Sequence, residues 1–174
     1  MRVFLDFEAS SLGKKSFPVE VAWIFEDGRA RSHLVRPAPD WTDWAADAEH
    51  IHGLTRARLD AEGEPVEAIG REMVETLAGH QLYASAPSWD GKWLSTLLRA
   101  AGLPRHALRL GKSDDAFIET ARDILGDAAE ATALVARIIA ETEPKAPAHR
   151  ALPDATLELE RWKKVRAEAL AHGR

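Results

Sequence analysis

The sequence predicts an α/β fold with a mixed five-stranded sheet, in which an antiparallel three-strand meander is extended by parallel strands and flanked by helices. Three observations support this class. Two strand-like runs and a hairpin signal lie in the N-terminal part of the chain. Helical patterns begin at Pro65, and short apolar runs separate several of those helices. No linker or internal repeat divides the sequence, so we expect a single domain over residues 1–174.

The three strands of the meander are predicted from their hydrophobic patterns. Residues 2–7 form a short apolar run that is typical of a buried strand. Over residues 16–25 every second side chain is apolar, which indicates a second strand. Asp27 and Gly28 form a hairpin signal, and residues 29–36 are expected to return as the third strand before two prolines stop it.

The rest of the chain alternates between helical and extended patterns. Residues 143–149 cannot be helical, because they contain two prolines. Trp89 and Trp93 share the apolar face of one expected helix, which predicts that both lie in the core. We expect short helices and turns over 41–58, a helix from Pro65 to Gly79, a strand over 81–85, a helix over 87–101, a strand over 108–110, a helix over 113–125 capped by Ser113, a helix ending near 142, and a final helix from Pro153 to about 171.

Composition excludes several classes of protein. The 174 residues include 23 Lys and Arg against 28 Asp and Glu, a formal charge of −5, and 45% are hydrophobic, which is ordinary globular usage. The absence of Cys excludes disulfides, thiolate nucleophiles and Cys-ligated zinc. No signal peptide or membrane-spanning stretch is evident, so we expect a soluble, cytoplasmic protein. The acidic balance disfavours nucleic-acid binding by bulk electrostatics, but it does not exclude an enzyme whose carboxylates hold metal ions.

Asp6 and Glu8 are the first candidate site residues. Residues i and i+2 of a strand point to the same face, so both carboxylates emerge together. Adjacent carboxylates on a central strand repel each other unless a cation pairs them, and oxygen ligands suit Mg²⁺ or Mn²⁺. The spacing alone is weak evidence, since a solvated strand end is the commoner explanation of such a pair and Asp-x-Glu occurs twice more, at Asp47/Glu49 and Asp60/Glu62.

Two further segments place carboxylates where a strand or loop leads into a helix. His149 and Asp154, in HRALPD, span the junction between a proline-rich loop and the last helix, which can turn both side chains towards one site. Asp90, in SAPSWDGKWL, lies just inside a helix that follows a strand. Each acid also has an ordinary explanation, because the helix dipole favours acidic residues in a first turn.

Together the three segments resemble the DEDDh, or DnaQ-like, family of 3′–5′ exonucleases of the ribonuclease-H-like superfamily. The order of the motifs matches, and the likeness covers nearly the whole chain. EHIHGLT, between the first two motifs, also resembles a segment common in these enzymes. The matching stretches are FLDFEASSL with Asp6 and Glu8, SAPSWDGKWL with Asp90, and HRALPD with His149 and Asp154.

The resemblance implies a ribonuclease-H-like fold and metal-dependent hydrolysis of phosphodiester bonds from a 3′ end, which releases nucleoside 5′-monophosphates. It implies two ions, Mg²⁺ or Mn²⁺. Asp6, Glu8 and Asp154 are expected to hold the ion that carries the attacking water, and Asp6 and Asp90 are expected to serve the second. His149 is expected to be the general base that takes the proton of that water.

The residues after the first motif are expected to meet the 3′-terminal nucleotide. Ala9, Ser10 and Ser11 are small enough to let backbone N–H groups approach the sugar. Leu12 sits where relatives often carry an apolar residue beside the terminal base, although a buried loop leucine is an equal explanation. Because the chain is acidic, the expected partner is a single-stranded 3′ end or a short oligonucleotide, DNA or RNA. Relatives often form homodimers, but no apolar surface stripe in this sequence predicts one.

Three alternatives stay open. The second motif departs from its relatives, which usually carry His-Asn ahead of Phe-Asp where residues 85–89 read SAPSW. A catalytically silent nucleic-acid-binding or interaction protein on the same fold is therefore the main rival. His50 and His52 form a His-x-His pair of the kind that binds zinc in amidohydrolases, but they lie in a region of helices and turns. The basic run over residues 161–166 is either a substrate contact or a solvated helix face.

Overall fold

The structure, a computed structural model that describes residues 1–172, contains one five-stranded sheet. Its strands are β1 (Arg2–Ala9), β2 (Pro18–Phe25), β3 (Ala30–Leu34), β4 (Gln81–Ala84) and β5 (Leu110–Lys112). The strand order is β3-β2-β1-β4-β5. Strands β1, β2 and β3 pair antiparallel, whereas β4 pairs parallel with β1 and β5 pairs parallel with β4. The mixed sheet predicted from the sequence is confirmed.

The described part of the chain also contains seven helices. Helices α3 and α4 share one core cluster with the sheet, and α5, α6 and α7 share a second cluster on its other face. None of these helices is both long and apolar enough to cross a membrane. The helices are α1 (Ala46–His52), α2 (Arg56–Glu62), α3 (Val66–Leu77), α4 (Pro87–Ala100), α5 (Ser113–Leu125), α6 (Ala128–Glu141) and α7 (Ala151–His172).

Alternation along β1 decides which of its side chains face which helices. Val3 and Leu5 belong to the cluster under α3 and α4, whereas Phe4 belongs to the cluster under α5, α6 and α7. Asp6 and Glu8 have the same parity as Phe4, so their carboxylates lie on the α7 side of the sheet.

The carboxyl end of β1 extends past the end of β4. Strand β1 pairs with β4 only from Arg2 to Phe4, and its register with β2 shifts between Glu8 and Ala9. Such bulges are common beside functional sites, because they redirect the strand. Ligands of open α/β sheets bind outside the carboxyl ends of the strands, and Asp6 lies at this end of β1.

Several predicted element boundaries are wrong by one or two residues, and three of these differences concern β5, α5 and α7. Strand β5 covers 110–112 rather than 108–110, because Leu108 is buried by packing into the first core cluster and not by strand pairing. Ser113 is the first residue of α5 rather than its cap. Helix α7 begins at Ala151 rather than at Pro153, because the Glu20 carboxylate accepts the Ala151 N–H at 3.1 Å.

The predicted burial of the two tryptophans of α4 is confirmed for one of them only. Trp93 is 7% exposed and belongs to the first core cluster. Trp89 is 38% exposed and stacks on Trp93, with 5.6 Å between the ring centroids. The prediction for Trp89 is wrong because the first turn of the helix projects beyond the cluster that buries Trp93.

We expect Gly63→Ala to destabilise the protein by about 1–3 kcal/mol. A Cβ atom at Gly63 would lie 2.5 Å from the Arg36 nitrogen and would also contact the Leu59 carbonyl oxygen, and these backbone atoms cannot rotate away. Gly91→Ala is the matched control, because its Cβ would meet nothing within 4 Å. In helix α4 that change is expected to stabilise by about 0.5–1 kcal/mol. Denaturant unfolding measures both, and equal stabilities would contradict the packing at Gly63.

Candidate metal centre

Three carboxylates from the two ends of the sequence meet at the carboxyl end of β1. One carboxylate oxygen from each of Asp6, Glu8 and Asp154 lies within 4.8 Å of the other two. Strand alternation places Asp6 and Glu8 on the same face, and the first turn of α7 brings Asp154 over them. All three side chains are half-buried.

Asp90 reaches the same end of β1 from the first turn of α4. Its side chain is 3% exposed, and its Oδ1 accepts a hydrogen bond from the backbone N–H of Phe7 at 3.2 Å. Phe7 lies past the last residue of β1 that pairs with β4, so the Asp90 carboxylate satisfies a backbone donor that the sheet leaves free. This contact ties α4 to the strand that carries Asp6 and Glu8.

The electrostatics of the cluster are unfavourable when the carboxylates are ionised. Burial raises the pKa of Asp6 well above its ordinary range, and the negative charges of the neighbouring acids raise it further. Burial and the charge of Asp154 raise the pKa of Glu8 to about 8. Burial raises the pKa of Asp90 to about 7, although the Phe7 N–H opposes the shift. Protons or a cation must therefore compensate these charges near neutral pH.

The donor set fits a hard divalent cation. Every candidate ligand is a carboxylate oxygen, and oxygen-only ligands are typical of Mg²⁺ and Mn²⁺ sites. Burial is the largest cause of the raised pKa values and the charges of other acids add to it, so a bound cation would offset both. Asp6, Glu8, Asp90 and Asp154 are the residues that could hold such ions.

His149 lies at the end of the loop that leads into α7. Its side chain is exposed, and its backbone φ of 48° is in the left-handed region. Burial raises the pKa of Asp154, and the charge of His149 opposes that shift, so the imidazole lies close enough to act on this carboxylate. The structure thus brings all five residues of the three motifs to one end of the sheet.

The four residues after Glu8 differ in their exposure and in their hydrogen bonds to the rest of the protein. Ser10 is fully buried, and its N–H donates to the Phe17 carbonyl oxygen at 2.9 Å. The hydroxyls of Ser10 and Ser11 both donate to Asp43, and Ala9 is 7% exposed. Leu12 is 72% exposed. Hydrogen bonds inside the protein therefore shape this loop, and Leu12 is the residue that projects from it.

The structure adds two acids that the sequence analysis did not single out. Glu158 lies one turn after Asp154 on α7 and is 5% exposed. Burial is the main cause of the raised pKa values of Asp6 and Asp90, and the charge of Glu158 raises both further. Glu20 is 3% exposed and stands directly opposite Glu8 in the β1–β2 register. A signal existed for each: Glu158 follows Asp154 by four residues, and Glu20 interrupts an apolar strand.

Several of the other polar candidates have partners within the protein. Along the basic run of α7, Arg161 bonds to Glu158 and Glu143, and Lys163 pairs with Glu160. Lys164 pairs with Glu141 on α6. Of the two histidines of the His-x-His pair, His52 is buried and its Nδ1 accepts the Leu54 N–H at 3.0 Å. These groups lie outside the carboxylate cluster.

Comparison with known proteins gives a likeness in structure alone. No protein-family model matches the sequence, and no curated protein matches it. Solved structures of exonuclease I do match. The zinc-bound complex of Escherichia coli exonuclease I with single-stranded DNA has 17% sequence identity and a TM-score of 0.68, over 98% of this chain and 42% of that one.

Two more structures give the same result. Escherichia coli exonuclease I in complex with a dA16 oligonucleotide has 17% identity and a TM-score of 0.68, over 98% of this chain and 42% of that one. A product-bound exonuclease I has 15% identity and a TM-score of 0.67, over 98% of this chain and 45% of that one. The chain thus spans less than half the length of these proteins, and it has their ribonuclease-H-like fold.

Proposed function

We propose that this protein is a metal-dependent 3′–5′ exonuclease that hydrolyses single-stranded DNA or RNA and releases nucleoside 5′-monophosphates. The observation that carries the proposal is the approach of Asp6, Glu8 and Asp154 to within 4.8 Å of one another at the carboxyl end of β1. The exonuclease I structures with single-stranded DNA and with a dA16 oligonucleotide support the substrate class.

The carboxylates would divide between two Mg²⁺ or Mn²⁺ ions. Asp6, Glu8 and Asp154 would hold one ion, and Asp6 and Asp90 would hold the other. Bound ions of this kind lower the pKa of a ligand water and neutralise charge on the attacking and leaving oxygens. The protein residues fix the positions of the carboxylates: the Phe7 N–H orients Asp90, and the α7 backbone carries Asp154.

His149 would take the proton of the attacking water. The charge of His149 acts on the pKa of Asp154, and its imidazole is exposed, so the proton can pass on to bulk water. Histidine suits this role because its imidazole changes charge near neutral pH.

The loop after Glu8 would receive the 3′-terminal nucleotide. Leu12 would lie against the terminal base, while Ala9, Ser10 and Ser11 would shape the sugar-facing side of the loop. Lys92 holds this loop on α4, since its Nζ donates to the Gly13 carbonyl oxygen at 2.6 Å and to the Ser16 hydroxyl at 3.1 Å.

The net charge of −5 favours a single-stranded end over a long duplex. Basic residues of α7 are already paired with acids, which leaves fewer cations for phosphate contacts along a duplex. The same reasoning favours short oligonucleotides.

The direct test uses 3′- and 5′-labelled single strands of DNA and RNA with Mn²⁺, with Mg²⁺ and with EDTA. We expect stepwise shortening from the 3′ end that EDTA abolishes. Asp6→Asn is expected to reduce the rate by about three orders of magnitude or more, because it removes a ligand shared by both ions. Asp60→Asn is the matched control and should retain the wild-type rate, since Asp60 belongs to another Asp-x-Glu pair, on the exposed side of α2.

Absence of cleavage on every strand, with both metals tried, would contradict the proposal. Retained binding of single strands would then favour the catalytically silent nucleic-acid-binding protein, for which the altered second motif, SAPSWD, is the specific indication. Cleavage that survives Asp6→Asn would place the active site elsewhere.

The raised pKa values predict how pH acts on the metal-free protein. Unfolded carboxyl groups have lost their protons by about pH 5, whereas folded Glu8 and Asp90 keep theirs up to pKa values of about 8 and about 7. Between these limits the folded state binds more protons, so the free energy of unfolding should fall as pH rises from about 5 to about 8. Saturating Mg²⁺ should reverse most of this loss, because the ion replaces the protons.

Thermal unfolding in EDTA and in Mg²⁺, at pH values from 5 to 8, measures this effect. Asp90→Asn keeps an acceptor for the Phe7 N–H but carries no charge, so it should be more stable than the wild type at pH 8 in EDTA. A metal-free wild type whose stability does not change over this range would contradict the raised pKa values of Glu8 and Asp90.

A further inference from the structure

Glu20 is a buried carboxylate with three hydrogen bonds to the start of α7. Its Oε2 accepts from Arg150 Nε at 2.9 Å and from the Ala151 N–H at 3.1 Å, and its Oε1 accepts from Arg150 Nη2 at 2.8 Å. A buried carboxylate is costly unless it is paired and hydrogen-bonded, and a two-point guanidinium contact meets that need. Strand β2 is thereby joined to a segment 130 residues further along the chain.

This contact holds Arg150, the residue that follows His149. Among residues 1–172, His149 is the one non-glycine residue with a positive φ, at 48°. Such a backbone costs about 1–3 kcal/mol and persists only where its surroundings enforce it. The preceding loop, residues 143–149, contains no helix or strand. On its C-terminal side, the His149 backbone is therefore anchored by the bonds of Arg150 and Ala151 to Glu20.

The ion pair of Glu20 and Arg150 also lies next to the carboxylate cluster. Glu20 stands opposite Glu8 in the register of β1 and β2. The Arg150 carbonyl oxygen accepts the Asp154 N–H at 3.1 Å, as part of the first turn of α7. The charges of Glu20 and Arg150 also act on the pKa of Glu8. A change at Glu20 or Arg150 could thus act through His149 or through the carboxylates Glu8 and Asp154, and the two routes have different consequences.

We propose that Glu20 and Arg150 are positioning residues whose two-point ion pair holds the left-handed backbone at His149 and so keeps the imidazole at the carboxylate cluster. This inference rests on the proposed function in one respect, the role of His149 as general base. The contribution is geometric: the fork of the guanidinium fixes a direction, which a lysine ammonium at the same position cannot do. Glu20 acts through His149 and does not itself touch the substrate.

The first test is a double-mutant cycle between Glu20→Gln and His149→Ala, with kcat and KM measured on a 3′-labelled single strand. Glu20→Gln alone should lower kcat by about 10–100-fold with little change in KM, because it misplaces the base. His149→Ala should lower kcat by about 100-fold or more. In the His149→Ala background, Glu20→Gln should cost no more than about twofold, because the group that it positions is already gone.

Arg150→Lys and a control complete the set. Arg150→Lys keeps the charge and should lower kcat by about 10-fold, because it loses the two-point contact. Arg137→Lys is the control, since Arg137 also bridges two carboxylates, Glu141 and Glu168, but on α6 and α7. It should retain the wild-type kcat.

Three results would overturn the proposal. A full-size effect of Glu20→Gln in the His149→Ala background, together with weakened Mn²⁺ binding by calorimetry, would show that Glu20 acts through Asp154 and the metal ligands. Wild-type kcat in Arg150→Lys would show that charge alone matters. Unchanged kcat in Glu20→Gln would show that the ion pair does not position the base.

Amide hydrogen exchange separates this inference from the proposed function. The Ala151 amide should exchange slowly in the wild type and at least about 10-fold faster in Glu20→Gln and Arg150→Lys, but not in Arg137→Lys. If the wild-type chain cleaves no strand, the proposed function fails, and this exchange alone decides whether the anchor exists. Equal Ala151 exchange in all four proteins would overturn it.

Discussion

Four carboxylates are gathered at the carboxyl end of β1 in positions where burial, and for some of them the charge of neighbouring acids, makes ionisation unfavourable. Asp6 and Glu8 leave the same face of one strand, and α4 and α7 add Asp90 and Asp154 to them. The raised pKa of each acid shows that the folded chain holds negative charge where water solvates it poorly. Isolated carboxylates would separate, so the surrounding architecture must keep them together until protons or cations compensate the charge.

Two kinds of contact keep them together. Core clusters on the two faces of the sheet hold α4 on one side and α7 on the other, so neither helix can move away from β1 without exposing buried apolar side chains. Hydrogen bonds from backbone N–H groups to carboxylates then fix the starts of α4 and α7 relative to the strands. Asp90 accepts from Phe7 where β4 no longer reaches β1, and Glu20 accepts from Ala151 where α7 begins. Each contact joins the start of a helix to a strand, and Asp90 and Asp154 lie in the first turns of those two helices.

Local sequence patterns predicted the features that depend on neighbouring residues, but not the contacts between residues far apart in the sequence. Strand alternation was sufficient to place Asp6 and Glu8 on one face, and the order of elements predicted the mixed sheet. The grouping of Asp90 with Asp154 came from the family resemblance, because no local rule relates residues so far apart. Glu20 was missed because its meaning depends on Arg150, and that pairing exists only after folding. The early start of α7 has the same cause, since its first N–H bonds to that distant carboxylate.

Anomalous diffraction from crystals grown with Mn²⁺ and a nucleoside 5′-monophosphate would determine whether the acids at the end of β1 hold two ions. We expect two anomalous peaks. One should be bounded by Asp6, Glu8 and Asp154, and the other should lie between Asp6 and Asp90. Crystals of Asp6→Asn should lose both. Mn²⁺ peaks confined to other acidic surfaces, with none at this cluster in a protein that cleaves its substrate, would contradict the account.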